Sequence, residues 1–512
     1  MNPVLQRRRS ILAAGFLLFL CASHAAASGS SLHGRFRSLV QARDLKTTSV
    51  AICVMDLDRG ETLVSLGAEK PMIPASNMKL LTTAAALSTL GPAFTFRTTL
   101  SALEGEDADD GTTLLLVGDG DPALVDPRGM DEGDDVEVVL HRWVEAVQRG
   151  GVKRVGTLIV DDRVFDRQWA HPDWPRDQLN RWYCAEVAGI NFHQNCLGVY
   201  PQPTAVGQSP TITLVPDAPF MAGGIRNRAV TGDADTFWIS RKHATNRITF
   251  MGKVRHRRRD PVWVTFHDPP LVAGQLLADR LRRAGIAVDQ VKRAGEEDQF
   301  DDTRVLAQWL TPLPEVVRRC NKHSQNLFAE AMMKRMGRHV TGSPGTWATG
   351  GAAMRMFLSR TLGADAALVH VADGSGMSRE NRVTARAIVD LLDAMHRDAV
   401  AGPVFRDSLA IAGVDGTLKK RLQGKLRGEV YGKSGFINRV CTLSGYLVIR
   451  AAPGERAPDE STPAPRTIAF SLLFNDFKAP VYLHTIKNLQ DDLIRMMDET
   501  LAPHLVQTDL GG

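Results

Sequence analysis

The chain has 512 residues, 44% hydrophobic and 23% charged, with 44 Gly, 26 Pro and 6% aromatics. That length accommodates roughly two to four domains with cores of their own, and the ordinary charged fraction excludes wholesale disorder. The net charge of +5 includes Arg7, Arg8 and Arg9, which lie in a segment expected to be removed. The remainder is too small for a nucleic-acid protein, and no basic run with interleaved aromatics appears downstream. Arg255-His256-Arg257-Arg258-Arg259 is the one dense basic stretch, and it reads as a solvated loop.

Residues 1–27 read as a signal peptide. Three arginines precede an apolar stretch at 11–21, too short to span a bilayer, and small residues through Ala27 supply a cleavage site. Arg8-Arg9-Ser10 has some twin-arginine character, and no later segment approaches a membrane span. An exported, periplasmic protein without a transmembrane anchor is expected. Strands are then predicted at 50–57 and 62–66, and a helix at 78–90 that opens after Pro74 and stops at Gly91-Pro92. Beyond residue 98, acidic and Gly-rich stretches punctuate short strands, with a helix at 136–149, a strand at 155–161 and a helix at 275–284. Helical pattern returns at 313–337, 347–362 and 384–395. Strands at 430–437, 440–450 and 467–475, a Pro-rich hairpin loop at 451–465 and a helix at 483–499 complete the chain. The pattern predicts an α+β helix-and-sheet domain split by a mainly β insertion.

Five cysteines remain after cleavage, and only Cys184 and Cys196 lie close in sequence. An oxidising compartment permits a disulfide between them; two buried free thiols are the alternative. No Cys/His spacing resembles a zinc site and the 14 histidines are scattered, so neither a metal nor another cofactor is expected.

Three short motifs carry chemistry. Ser76-Asn77-Met78-Lys79 opens the first strong helix, where residues three apart share a face and the N-terminus offers free N–H groups. Serine is a poor nucleophile until a base takes its proton, and Lys79 fits that role if burial and a second cation lower its pKa. Alone, the motif reads as a polar helix start with a solvated lysine. Ser324-Gln325-Asn326 reads as a helix cap or as a proton relay (Ser324) beside an amide (Asn326) that holds Lys79 and donates to a substrate carbonyl. Lys433-Ser434-Gly435 interrupts an apolar strand, where lysine and glycine are both locally unfavourable. Lys433 and Ser434 suit a carboxylate, Gly435 leaves room for a ligand backbone, and the Phe436 amide pairs with that of Ser76 as an oxyanion hole.

In this order the motifs resemble the signature of serine acyl-transferases that include penicillin-binding proteins and class A β-lactamases. The 248-residue spacing from Ser76 to Ser324 is far longer than a β-lactamase allows. It resembles the class C low-molecular-mass penicillin-binding proteins, the D-alanyl-D-alanine carboxypeptidase/endopeptidase (DacB-like) family. Residues 74–87, Gly120-Asp121-Pro122, residues 372–379 and 413–418 are similar to that family, and the likeness spans about residues 40–500. It implies a transpeptidase-like domain (30–98 and 312–505) with two nested insertions, one at 99–129 and 197–311, the other at 130–196.

The resemblance also implies an acyl-enzyme on Ser76, with Lys79 as base, Ser324 passing a proton to the leaving amine, and Lys433 both attracting a carboxylate and depressing the Lys79 pKa. Peptidoglycan stem peptides are the implied substrates and β-lactams the implied covalent inhibitors. Two departures stand out. The family's Lys-Thr-Gly-Thr is here Lys433-Ser434-Gly435-Phe436, which keeps one hydroxyl and loses another, relatively favouring endopeptidase action. Asp166 and Asp173 lie near the family's acidic side-chain-recognition residue, but Trp169 occupies the aligned place, and none is assigned that role. A β-lactamase-like hydrolase, a transpeptidase or a non-catalytic wall-binding protein are the alternative readings.

Overall fold

The computed structural model describes residues 31–104, 111–127, 135–424, 426–450 and 465–501. The expected signal peptide, and the hairpin loop apart from Pro465, lie outside the described residues.

Segments from opposite ends of the sequence build one six-stranded antiparallel sheet. Its spatial order is Ala410–Ile411, Glu429–Ile437, Val440–Ile449, Arg466–Asn475, Ser49–Asp56, Glu61–Leu66. Successive side chains of a strand face opposite ways. In Ser49–Asp56, Ala51 and Cys53 therefore join one core, while Ile52 and Val54 join another. The first core holds the helices Met78–Leu90, Leu313–His323, Asn326–Thr341 and Ala385–Arg397; the second holds Leu32–Ala42 and Leu483–Leu501. Both faces are thus covered, which is why Val440–Ile449 is buried at every position, Thr442 and Ser444 included. The helix that carries the first motif is buried continuously from Met78 to Leu87, so it is a central helix rather than a surface one. The architecture is α+β, an antiparallel sheet flanked by helices.

The insertion has a core of its own, around Leu114, Trp143, Leu158 and Leu276. Its main sheet has five strands in the order Ala287–Arg293, Arg154–Asp161, Thr112–Val117, Thr95–Leu103, Thr303–Pro312. The first three run parallel, and parallel neighbours need a crossover; the helices Val136–Arg149 and Pro269–Arg283 supply it. The insertion is accordingly less purely β than its composition suggests.

Within the span expected as a nested unit at 130–196, Arg154–Asp161 lies inside the five-stranded sheet, and Phe165, Trp174 and Leu179 pack into the first core. Small sheets form within residues 196–265. Two expectations are corrected. Cys184 and Cys196 form no disulfide: both are buried, Cys184 within the first core and Cys196 at the head of a strand of the insertion. Burial pushes the Cys184 thiol up to about 12. Finally, the helical run predicted at 313–337 is broken at Ser324, whose φ of 57° places it in the left-handed region. The basic stretch Arg255 to Arg259 is an exposed loop, as expected.

Candidate active site

Pro74 begins a tight turn whose next residue, Ala75, is held at φ 46°, an uncommon conformation for a side-chain-bearing residue. That turn presents Ser76 at the mouth of the central helix. Lys79, one turn on, is completely buried. Its Nζ lies 3.1 Å from Ser76 Oγ, and it donates to Asn326 Oδ1 and to the Ser375 carbonyl at 2.7 Å each. Burial lowers its pKa to about 8, against the opposing pull of Glu330 and Asp373.

The break between two helices explains the second motif. The left-handed turn at Ser324 ends Leu313–His323 and lets Asn326 start the next helix beside Lys79. Asn326 Nδ2 donates to the Tyr183 carbonyl at 2.8 Å, which ties the insertion to the site. Asn321 Nδ2 reaches Thr83 Oγ1 at 3.1 Å and Ser408 Oγ at 2.8 Å, bracing this corner against the central helix.

The third motif comes from Glu429–Ile437. Lys433 is fully buried and donates to Ser324 Oγ at 2.9 Å and to the Ser434 carbonyl at 2.8 Å. Burial, and then the charge of Lys79, hold its pKa well below the ordinary lysine value. Burial is the leading cause at both lysines, and at Lys433 the charge of Lys79 adds to it. Gly435 is required by close approach: a Cβ there would lie 2.2 Å from Thr442 Oγ1 and 2.9 Å from the Ser76 nitrogen. Ser434 Oγ bonds Thr417 Oγ1 at 2.9 Å, and Phe436 is 53% exposed. Ala410–Ile411 pairs only with Tyr431 and Gly432, so the edge from Lys433 to Ile437 has no strand partner on that side among the described residues.

All the motif residues thus converge. They meet in or beneath a cleft of about 870 Å³ whose walls include Ser76, Ser324, Asn326 and Phe436. Among the described residues, no group of three His, Cys, Asp or Glu is placed to hold a metal ion, and no helix is long and apolar enough to cross a membrane.

Sequence reasoning missed several residues here. Glu330, fully buried one turn after Asn326, accepts from the Ser375 amide at 2.7 Å, the Gly374 amide at 3.0 Å and the Trp347 indole at 2.8 Å. It therefore fixes the loop whose carbonyl contacts Lys79. Asp373 accepts from the Ser378 amide at 2.6 Å and the Gly376 amide at 2.8 Å and holds the rest of that loop. Of the three candidates in the insertion, Asp173 lines the cleft and accepts from Ser378 Oγ at 2.9 Å. Asp166 instead pairs with Lys334 at 2.6 Å, and Trp169 lies under the Arg293 guanidinium. A buried glutamate on an apolar helix was the only sequence signal for Glu330; Tyr183, which contributes a carbonyl, left none.

A model of the D-Ala-D-Ala carboxypeptidase 3 (S13) family matches residues 32–496. A D-alanyl-D-alanine carboxypeptidase of Actinomadura sp. (strain R39) is 33% identical over 457 residues, 84% of this chain and 78% of that protein. The D-alanyl-D-alanine carboxypeptidase DacB of Haemophilus influenzae is 24% identical over 416 residues, 78% of this chain and 82% of its own. The crystal structure of penicillin binding protein 4 (dacB) from Haemophilus influenzae shares the fold, with a TM-score of 0.70 at 20% identity over 90% of this chain and 99% of that one. On the extent of the family match and of the first of these relatives, the chain belongs to the D-Ala-D-Ala carboxypeptidase 3 (S13) peptidase family.

Proposed function

We propose that the protein is an exported serine-type D-alanyl-D-alanine carboxypeptidase that also cleaves D,D-cross-links in peptidoglycan. Ser76 Oγ attacks the carbonyl between two D-alanines, or between D-alanine and the cross-linked residue. Lys79 Nζ takes the hydroxyl proton, and Ser324 passes a proton to the departing amine, with Lys433 holding the Ser324 hydroxyl in place. The amides of Ser76 and Phe436 receive the oxyanion. Water then attacks the acyl carbonyl and gives a proton to Lys79, which passes it to Ser76 Oγ as the acyl–serine bond breaks, restoring the free serine and the neutral amine. The unpaired edge at Lys433 to Ile437 takes the peptide as an added strand. Ser434 and Lys433 face its carboxylate, and the missing hydroxyl at Phe436 weakens that hold and shifts the balance toward internal cross-links. β-Lactams acylate the same serine. The periplasm is the compartment where the substrate lies.

The observation that carries the reading is the 3.1 Å contact between a fully buried, pKa-lowered Lys79 and Ser76 Oγ at the head of an open strand edge. Purified wild-type protein is expected to bind a fluorescent penicillin covalently and to release D-alanine from a stem pentapeptide. Ser76→Ala should lose both activities, the latter by several orders of magnitude. Labelling that persists in Ser76→Ala would remove the nucleophile assignment.

A further inference from the structure

Three of the chain's eight tryptophans, Trp182, Trp238 and Trp263, line one groove of about 390 Å³ beside the catalytic cleft, together with Arg181 and Arg258. Trp182 and Tyr183 line both hollows, so the groove continues the cleft. Arg181 and Trp238 in turn line a further hollow of about 310 Å³ that adds Arg176. The three hollows form one track leading away from Ser76.

The track is built in advance by polar ties between distant elements. Asn180 Nδ2 donates to the Ile239 carbonyl at 2.9 Å, while Thr265 Oγ1 at 2.7 Å and Arg241 Nη2 at 3.0 Å both donate to the Leu179 carbonyl. These bonds lock the turn bearing Trp182 to the strands Trp238–Arg241 and Val262–Thr265. Trp182 packs edge-on to Tyr183 and Trp263 against His193, at 5.7 and 5.6 Å between centroids. Trp238, by contrast, is 47% exposed, a large apolar ring left facing water. Arg176, Arg181 and Arg258 are exposed around it.

Flat indole faces suit a pyranose ring, whose axial C–H bonds form an apolar face, and guanidinium groups suit acetamido carbonyls, hydroxyls and carboxylates. A stem peptide seated in the cleft is covalently joined to such a sugar. We propose that the groove is a glycan subsite, binding the N-acetylated amino-sugar chain that carries the peptide. This rests on the peptidoglycan reading above. The protein would then prefer peptides still attached to glycan over free peptides of the same sequence, with the preference residing in KM.

The test compares D-alanine release from a free pentapeptide with release from the same pentapeptide on a short glycan oligomer. Wild type is expected to favour the glycan-linked substrate in kcat/KM, and Trp238→Ala to lose about tenfold of that preference. Its rate on free pentapeptide and its penicillin labelling should stay at wild-type values. Arg258→Ala, an exposed change, serves in its place if Trp238→Ala does not label, with a smaller loss of preference. No release from either substrate by wild type overturns the functional reading and the groove with it. Release from both with equal kcat/KM, or a preference unchanged in the variants, overturns the glycan subsite alone.

Discussion

Lys79 has three N–H donors as a cation and three polar neighbours to receive them, so its charged form is fully satisfied. Losing one proton turns a lone pair toward Ser76. With a pKa lowered to about 8, chiefly by burial, the neutral fraction grows as pH passes that value. Acylation by benzylpenicillin is therefore expected to climb along a limb centred near pH 8, measured as the labelling rate against pH. A flat profile would take Lys79 out of the base role. Linkage gives a second sign: the unfolded chain binds more protons at this site between about 8 and the free value of 10.5, so its contribution to stability rises with pH across that window. Glu330 acts one layer further out. An acceptor-only carboxylate meets three N–H donors there, and a Glu330→Gln amide would turn a donor toward one of them. The mismatch should cost about 1–3 kcal/mol, seen in urea unfolding. Because the Glu330 charge raises the Lys79 pKa, the same variant should move the labelling limb to lower pH.

At the scale of elements, two features that violate local rules turn out to build the site. A periodic apolar pattern predicts one long helix across 313–337, and periodicity carries no information about a single left-handed residue such as Ser324. The break is needed because an uninterrupted helix would place the Ser324 and Asn326 side chains on different faces. The strand Glu429–Ile437 was legible as an element, and its lysine and glycine marked it as functional because both oppose strand formation. The reason for Gly435 became visible only in three dimensions, where the strand passes against the Ser76 nitrogen. Gly435→Ala should force the strand away from the serine, lowering stability by about 1–3 kcal/mol. Penicillin labelling should fall more steeply than stability does, and a labelling rate equal to wild type would show that the close approach is dispensable.

At the scale of the whole molecule, motif order and spacing made the catalytic domain legible, while the layout of the insertion was not. Strand pairing inside it depends on contacts between residues more than a hundred positions apart, as in the parallel pair of Arg154–Asp161 with Ala287–Arg293, and no local pattern encodes them. The same applies to Cys184 and Cys196, close in sequence, of which Cys184 packs in the first core while Cys196 opens a strand that contributes Leu197 and Val199 to the insertion's core. Those cores are joined by specific ties, among them the completely buried Lys334, which meets Asp166 at 2.6 Å and lies 3.9 Å from the centre of the Trp347 ring. Asp166→Asn would leave that ammonium without its carboxylate and should destabilise the protein by about 3 kcal/mol in urea unfolding. A change below about 0.5 kcal/mol would mean that Trp347 and the Gln168 carbonyl, to which Lys334 Nζ donates at 2.7 Å, suffice.

The pairing of Ser49–Asp56 with Arg466–Asn475 also governs when the enzyme can first work. The serine emerges from the ribosome early, yet the sheet that seats it closes only after the last strand has been made. At about 5–20 residues per second, the intervening chain takes roughly 20–80 s to synthesise. Lys433 is added only near the end of that interval and the strand that completes its sheet later still, so the nascent polypeptide carries Ser76 without an assembled site until translation is nearly over.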